Sequence, residues 1–227
     1  MYTIISAVNS SSKQISISNV CKYLLLIVVP LLIVLFNFNS LSTNKNFLEK
    51  VQGKVQSNLN LADRVNYTNN LIDYYNGIKL LDVNFYSDQA QIHLEEVKDL
   101  LTAAKIILAM NIIITLCLIT ILAHEKKYET IFIHLYHAGL ICLAFFLILG
   151  IGMAKYFDSL FLAMHKVLFA DSLWLFPPSD TLIQVFPGEF FVLFAKQLAI
   201  NTIITSVVLI VLSFVGKYVF KKRLLSS

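Results

Sequence analysis

Charged residues are scarce in this 227-residue sequence. Asp, Glu, Lys and Arg make up 14% of it, hydrophobic residues make up 57%, and the mean hydropathy is +0.72. This composition exceeds the apolar content of ordinary soluble domains, so we predict an integral membrane protein. The net charge of +4 does not indicate a nucleic-acid partner. The basic residues lie beside apolar runs and at the C-terminus, whereas nucleic-acid binding needs a soluble basic patch.

Cysteine, glycine and proline are also scarce, at three, seven and four residues. Cys21 precedes the first apolar run, and Cys117 and Cys142 lie inside later runs. No two cysteines share a water-facing loop, which excludes a disulfide framework, and we expect inert, packed thiols. The polar segment after the first run has too little glycine and proline to be only a linker.

Motifs for metal and nucleotide chemistry are absent from the sequence. It contains no HExxH, CxxC or GxSxG motif and no glycine-rich phosphate loop. His134 and His137 have a spacing that suits a metal ion, but no matching carboxylate pair accompanies them. We therefore expect neither a metal site nor a cofactor.

Four apolar runs are long enough to cross a hydrocarbon core of about 30 Å as helices of roughly 20 residues. The predicted spans are approximately residues 23–41, 100–123, 131–157 and 191–215, within one membrane domain covering residues 1–227. The first run could alternatively be a signal peptide, but Asn37 and Asn39 are poor cleavage-site chemistry, so we interpret it as a retained anchor. The predicted fold is all-α: a four-transmembrane-helix bundle with amphipathic or re-entrant helices on its outer face.

The distribution of lysine and arginine predicts the orientation. Basic residues precede the first span, lie in the short loop between the second and third spans, and follow the fourth span. They are Lys13, Lys22, Lys126, Lys127, Lys217, Lys221, Lys222 and Arg223. The positive-inside rule then places both termini in the cytoplasm. Residues 42–99 and 158–190 fall on the outer face of the membrane.

The first outer segment has the periodicity of amphipathic helices. Apolar residues recur near every 3.6 residues from Phe47 to Leu59 and again from Val65 to Tyr75. The pair Asn76-Gly77 is a typical helix stop, and Ser87 is a typical N-cap for a helix that continues into the second span.

Two histidines lie on the predicted outer face. His93 is near the membrane end of the helix capped by Ser87, and Glu96 shares its helical face. His165 follows the third span in an apolar stretch that favours an interfacial or re-entrant helix, which Pro177 must end. A lone histidine is more often a solvated interfacial residue, but two at similar depth can converge on one site.

Several blocks of this outer face match a known pattern. Residues 92–98 read Ile-His-Leu-Glu-Glu-Val-Lys, and residues 161–169 read Phe-Leu-Ala-Met-His-Lys-Val-Leu-Phe. Residues 174–183 read Trp-Leu-Phe-Pro-Pro-Ser-Asp-Thr-Leu-Ile, and Phe-Pro-Gly-Glu-Phe-Phe begins at Phe186. Tyr-Tyr-Asn-Gly, which begins at Tyr74, resembles a further outer motif. Together these blocks resemble the bacterial lipoprotein intramolecular transacylase family, Lit, over all four predicted spans.

The resemblance implies an acyltransferase in the bacterial plasma membrane. It implies that the sn-2 acyl chain of a diacylglyceryl-modified lipoprotein moves to the α-amine of its N-terminal cysteine. The product is an N-acyl, S-monoacylglyceryl (lyso) lipoprotein, and no other acyl donor is needed. The implied partners are the lipoprotein substrate and membrane lipids.

Histidine can take and return protons near neutral pH, because its ordinary pKa is about 6.5. We expect His93 to be the general base, oriented by Glu96, and His165 to donate to the oxyanion or the leaving glycerol oxygen, although the two roles can be exchanged. Residues predicted to bind or orient the substrate are Tyr74, Tyr75, Lys166, Trp174, Asp180 and Glu189. For the loop charges and aromatic residues among them, solvation, helix capping or an interfacial belt is the simpler role.

The residues by themselves leave two other classes open. One is a non-enzymatic four-span sensor or assembly protein whose outer segments bind lipid or protein. The other is an intermolecular acyltransferase or lipid hydrolase that uses the same two histidines. The acylation state of a lipoprotein N-terminus distinguishes an acyltransferase from the first class. Whether a labelled acyl chain leaves the original lipoprotein molecule distinguishes an intramolecular transfer from the second class.

Overall fold

A computed structural model describes residues 17–169 and 172–226, with side chains as far as residue 222. Lys13 and the side chain of Arg223, used above to predict orientation, lie outside the described part. The elements are α1 (Ile17–Ser42), α2 (Lys45–Gln52), α3 (Leu61–Tyr75), α4 (Asp88–His124), α5 (Tyr128–Leu168), α6 (Thr181–Val185) and α7 (Gly188–Ser226).

The helices α1, α4, α5 and α7 are each long and apolar enough to cross a membrane. A continuous helix satisfies its own backbone hydrogen bonds, which hydrocarbon requires. The predicted all-α fold with four membrane-spanning helices is therefore confirmed. The helix α4 begins at Asp88, about three turns before the apolar run that starts at Leu100, so its first turns extend beyond the apolar bundle.

The core of the bundle forms around one face of α1. Cys21, Leu25, Val29 and Ile33 recur at every fourth position and are all buried. Residues four apart lie on the same face of a helix, so these side chains form one stripe. The stripe packs against buried residues of α4 and α5, among them Leu118, Leu122, Ala138, Cys142 and Phe146.

The helices α5 and α7 pack closely because small residues face each other. A Cβ atom at Gly139 would lie 2.8 Å from Cγ1 of Ile210 and 3.3 Å from the backbone oxygen of Ser206. On α7, Thr202 and Ser206 are fully buried. Small residues allow such an approach between membrane helices, where dispersion forces and not water exclusion drive association.

One end of the bundle is basic and has short connections. The ammonium group of Lys127 contacts the Ser18 hydroxyl, and Lys217 lies 3.6 Å from Glu129. These contacts bring together the start of α1, the α4–α5 turn and the end of α7. We call this end the basic end.

The opposite end, which we call the capped end, is covered by α2, α3 and α6. The buried Gln52 amide of α2 donates hydrogen bonds to the Thr68 hydroxyl of α3 at 2.9 Å and to the Val185 carbonyl of α6 at 3.0 Å. Lys45 lies 2.6 Å from Asp73, and its hydrogen bond holds the pKa of the Asp73 carboxyl below its ordinary value. These polar links join the three short helices into one layer.

The predicted stop at Asn76-Gly77 is confirmed. The helix α3 ends at Tyr75, and Gly77 has a φ angle of 71°. The amide groups of Gly77 and Ile78 donate to the carbonyls of Tyr74 and Asp73 at 3.0 and 2.8 Å. This is a Schellman motif, in which glycine adopts the left-handed conformation at low cost.

The stretch around His165 differs from the expected separate helix that ends at Pro177. It is the continuation of α5 across a kink at Tyr156, where φ is −131° and ψ is 30°, and the helix already ends at Leu168. Phe169 is extended and buried, and its ring contacts both histidines. Burial of the Phe169 ring favours the end of the helix at Leu168. This is a tertiary effect, which the positions of the prolines do not predict.

The close contact between α5 and α7 yields a stability prediction. We expect Gly139→Val to lower the stability of the bundle by ~1–3 kcal/mol, because the added methyl groups overlap Ile210 and the Ser206 backbone. Gly150→Val is the matched control, since a Cβ atom there meets nothing within 4 Å. Thermal unfolding of both variants in detergent measures the difference. Equal unfolding midpoints would contradict the close packing.

Candidate active site

His93 projects from the part of α4 that lies beyond the apolar bundle. Ser87 caps this helix, as predicted, by accepting a 3.3 Å hydrogen bond from the amide of Ala90. The His93 side chain is buried, and its Nδ1 lies 3.7 Å from Oε2 of Glu96, one turn later. A carboxylate on that side favours the tautomer with hydrogen on Nδ1 and leaves Nε2 for proton transfer.

His165 projects from the last turn of α5. Its Nδ1 lies 2.8 Å from the backbone oxygen of Phe161. A carbonyl oxygen only accepts hydrogen bonds, so Nδ1 carries the hydrogen. The Nε2 atom of His165 is therefore a proton acceptor in the neutral ring and a donor in the protonated ring.

The structure brings the two predicted histidines together. The ring centroids of His93 and His165 lie 6.3 Å apart with an angle of 27° between their planes. The ring of Phe169 lies 4.7 Å from that of His93 and 5.5 Å from that of His165. Phe176 contacts His93 at 5.6 Å. Apolar rings thus limit the access of water to the pair.

The loop after α5 is tied to α4 through Gln89. Its Nε2 donates hydrogen bonds of 2.9 Å to the carbonyls of Leu173 and Leu175, which flank Trp174. The Trp174 ring lies 5.0 Å from the His165 ring. Because Gln89 precedes His93 by about one turn, one carboxamide sets the position of the loop relative to both histidines.

The predicted acids Asp180 and Glu189 lie on the elements that follow this loop. Asp180 caps α6 by accepting a 2.8 Å hydrogen bond from Leu182, and its other oxygen accepts a 2.9 Å hydrogen bond from the Ser87 hydroxyl. Glu189 is exposed in the first turn of α7 and accepts a 3.4 Å hydrogen bond from the backbone of Gln56. In these contacts both acids hold the capped end together.

The predicted tyrosines lie at the end of α3, against α4. Tyr74 is buried, and the ammonium group of Lys98 sits 4.0 Å from the centre of its ring. Burial raises the pKa of the Tyr74 phenol, and it raises that of Tyr75 well above the ordinary value. Both phenols therefore keep their protons at neutral pH. Lys166, next to His165, has an exposed side chain.

Gln89 and Phe169 are site residues that the sequence interpretation missed. Helical spacing offered a signal for both, since Gln89 precedes His93 by four residues and Phe169 follows His165 by four residues. Spacing alone does not show that Gln89 reaches the backbone of a distant loop. That contact depends on tertiary structure.

His134 and His137, whose spacing could suit a metal ion, lie on α5. Within residues 17–169 and 172–226, no three His, Cys, Asp or Glu side chains are grouped to share an ion. His134 and His137 have ring centroids 6.4 Å apart, and His134 Nδ1 is bonded to the Thr130 carbonyl at 2.8 Å.

Trp174 is the sole tryptophan of the chain, so its fluorescence reports on the loop that Gln89 ties to α4. We expect Gln89→Leu to shift the emission of Trp174 to longer wavelength, because the loop loses both hydrogen bonds and water gains access to the indole ring. Steady-state emission spectra of the two proteins measure the shift.

Gln91→Leu is the matched control for this experiment. The Gln91 amide bonds the carbonyls of Val83 and Tyr86 in a different loop, at 3.0 and 2.9 Å. Its emission maximum should match that of the wild type. An unshifted emission maximum in Gln89→Leu would contradict the anchoring of the loop by Gln89.

Comparison with known proteins identifies the family. The family model of the lipoprotein intramolecular transacylase Lit matches residues 16–191. The structure resembles membrane-integral Lit from Bacillus cereus with a TM-score of 0.75 and 20% identity, covering 91% of this chain and 98% of that chain. A variant of that protein with a histidine-to-alanine substitution gives a TM-score of 0.69 and 19% identity, covering 91% and 96%. No curated protein sequence matches the chain. Because the family model covers most of its length, this chain belongs to the lipoprotein intramolecular transacylase family, Lit, and is an acyltransferase of the membrane.

Proposed function

We propose that the His93–His165 pair moves the sn-2 acyl chain of a diacylglyceryl-cysteine to the α-amine of the same cysteine. The 6.3 Å approach of the two rings is the observation that carries this proposal. Two histidines at this distance suit a reaction that removes a proton from one substrate atom and returns one to another. A lipoprotein substrate follows from the family, and the sn-2 to amine direction is part of the proposal.

The reaction balances without any further reactant. The neutral α-amine attacks the ester carbonyl, so a C–N bond forms and the carbonyl oxygen becomes an oxyanion. The nitrogen loses a proton to one histidine. As the oxyanion collapses, the C–O bond to glycerol breaks and the departing oxygen takes a proton from the other histidine. A proton then passes from the first histidine back to the second through solvent, which restores both rings. The products are an amide and a free glycerol hydroxyl.

The surroundings of the two rings support different roles. The Glu96 carboxylate, 3.7 Å from Nδ1 of His93, stabilises the positive charge that a general base acquires. His165 has a neutral partner, the Phe161 carbonyl, and it donates from Nε2 only when its ring is protonated. We assign His93 as the base and protonated His165 as the donor to the oxyanion or leaving oxygen. The same geometry permits the reverse assignment.

Apart from proton transfer by the histidines, most of the acceleration of the reaction comes from the substrate itself. Amine and ester belong to one molecule, so their reaction is intramolecular once both lie between the histidines. Trp174, which packs on His165, forms a wall of the proposed site, and Phe169 restricts water that would hydrolyse the ester. We propose that the exposed side chain of Lys166 contacts the exposed part of the lipoprotein.

The capped end supports the site indirectly. Tyr74 and Tyr75 pack in the cluster that contains Leu94, next to His93 on α4. Asp180 and Glu189 link α6 and α7 to neighbouring segments. We propose that these four residues orient the site without taking part in proton transfer.

We further propose that the histidine pair faces outward and that both termini are cytoplasmic. The basic end carries Lys22, the pair Lys126 and Lys127, and the lysines that begin at Lys217. The positive-inside rule favours this end in the cytoplasm. The histidines lie near the opposite, capped end.

Replacement of either histidine tests the assignment. We expect His93→Asn and His165→Asn to lower formation of the lyso-lipoprotein by at least about 10²-fold, the usual lower range for loss of general acid–base catalysis. Mass spectrometry of the lipoprotein N-terminal peptide measures the product. His137→Asn is the matched control, because its exposed side chain lies on α5 towards the basic end. Normal product from both site variants would refute the assignment.

A lipoprotein with different acyl chains at sn-1 and sn-2 tests the direction of transfer. We expect the amide of the product to carry the sn-2 chain and the glyceryl group to retain the sn-1 chain. Labelled phospholipid supplied in the same membrane should contribute no acyl group. An amide that carries the sn-1 chain, or the phospholipid label, would contradict the proposal.

A further inference from the structure

An open groove lies between α1, the end of α3 and α4, distant from the histidines. Its volume is about 470 Å³. Lys105, which lines it, is about 18 Å further along α4 than His93, at about 1.5 Å per residue. The groove is therefore separate from the proposed transacylation site.

The charge of Lys105 is the unusual feature of this groove. Lys105 lies within the apolar stretch of α4, where a charged side chain carries a cost and marks a functional position. Its ammonium group donates to Oδ1 of Asn76 at 2.9 Å and to the carbonyl of Tyr75 at 3.4 Å. Both acceptors are neutral. In the described part of the chain, no carboxylate lies within 4 Å of this ammonium group.

The polar side of the groove offers further hydrogen bonds. Asn39 of α1 and Thr43, which directly follows α1, line it beside Lys105. The Thr43 hydroxyl donates to the Asn39 carbonyl at 2.8 Å. Among the described residues, the hydrogen bonds of Asn39 outside the helix ladder go to its backbone carbonyl, which accepts from the Ser42 and Thr43 hydroxyls, so the two N–H groups of its side-chain amide can serve a ligand.

The other side of the groove is apolar. Leu108 and Ile112 follow Lys105 at about one and two turns further along α4, and both line the groove. Their side chains lie towards the middle of the membrane span, whereas the Lys105 ammonium reaches back to the end of α3. A ligand that fits is anionic at one end and hydrocarbon at the other.

We propose that this groove binds a membrane glycerophospholipid. Its phosphate contacts the Lys105 ammonium and the Asn39 amide, and one acyl chain lies along Leu108 and Ile112. The diacylglyceryl group of a lipoprotein does not match, because it carries no negative charge to pair with Lys105. This site goes beyond the transacylation and does not depend on the roles of the histidines.

Native mass spectrometry of the full-length, delipidated chain tests the proposal. Phosphatidylglycerol and diacylglycerol with identical acyl chains are added in equal amounts. We expect retention of phosphatidylglycerol over diacylglycerol. Lys105→Gln should weaken this retention about tenfold, because a charged hydrogen bond to the phosphate is lost. Lys105→Arg should preserve it.

Lys98→Gln is the matched control, since Lys98 lies on the same helix but its ammonium sits over the Tyr74 ring. It should retain phosphatidylglycerol as the wild type does. If Lys105→Gln does not fold, Asn39→Leu takes its place and should also weaken retention. Equal retention of both lipids, or unchanged retention in the Lys105→Gln or Asn39→Leu variant, would overturn the proposal. Displacement of the lipid by inorganic phosphate at equal concentration would assign the site to free phosphate instead and also overturn it.

Discussion

A backbone that crosses hydrocarbon has no water to bond with, so it stays helical until it leaves the lipid. In the described chain this constraint places the irregular connections at the two ends of the bundle. The basic end has only the short turn after His124, whereas the capped end holds the segments between α1 and α4 and between α5 and α7. The histidines are therefore carried by helices that continue past the apolar bundle, and rigid elements, not loops, set their positions.

The features that the sequence predicted are those with local signals. Long apolar runs predicted the four spans, and the Asn76-Gly77 pair predicted the end of α3, because each depends on neighbours in the chain. Helical spacing likewise placed Glu96 on the same face as His93, where the structure finds it. The basic residues predicted which loops share a face, so the two histidines were expected at the same end.

The remaining features depend on contacts between distant segments. No local pattern indicates that Phe169 contacts His93 as well as His165, or that burial of its ring ends α5 at Leu168. The reach of Gln89 to the backbone around Trp174 is also tertiary, since it joins residues more than 80 positions apart. Loop acids such as Asp180 have partners that only the folded chain brings near.

The hydrogen bond between Ser87 and Asp180 couples the starts of two helices. The Ser87 hydroxyl donates to Asp180 while its oxygen accepts from Ala90, and the other Asp180 oxygen accepts from Leu182. Donation to a carboxylate polarises a hydroxyl and strengthens it as an acceptor, so the three bonds reinforce one another. Local opening of the loop before α6 would therefore fray the first turn of α4 as well. Opening of that loop and unwinding of the helix just before His93 thus become one cooperative event.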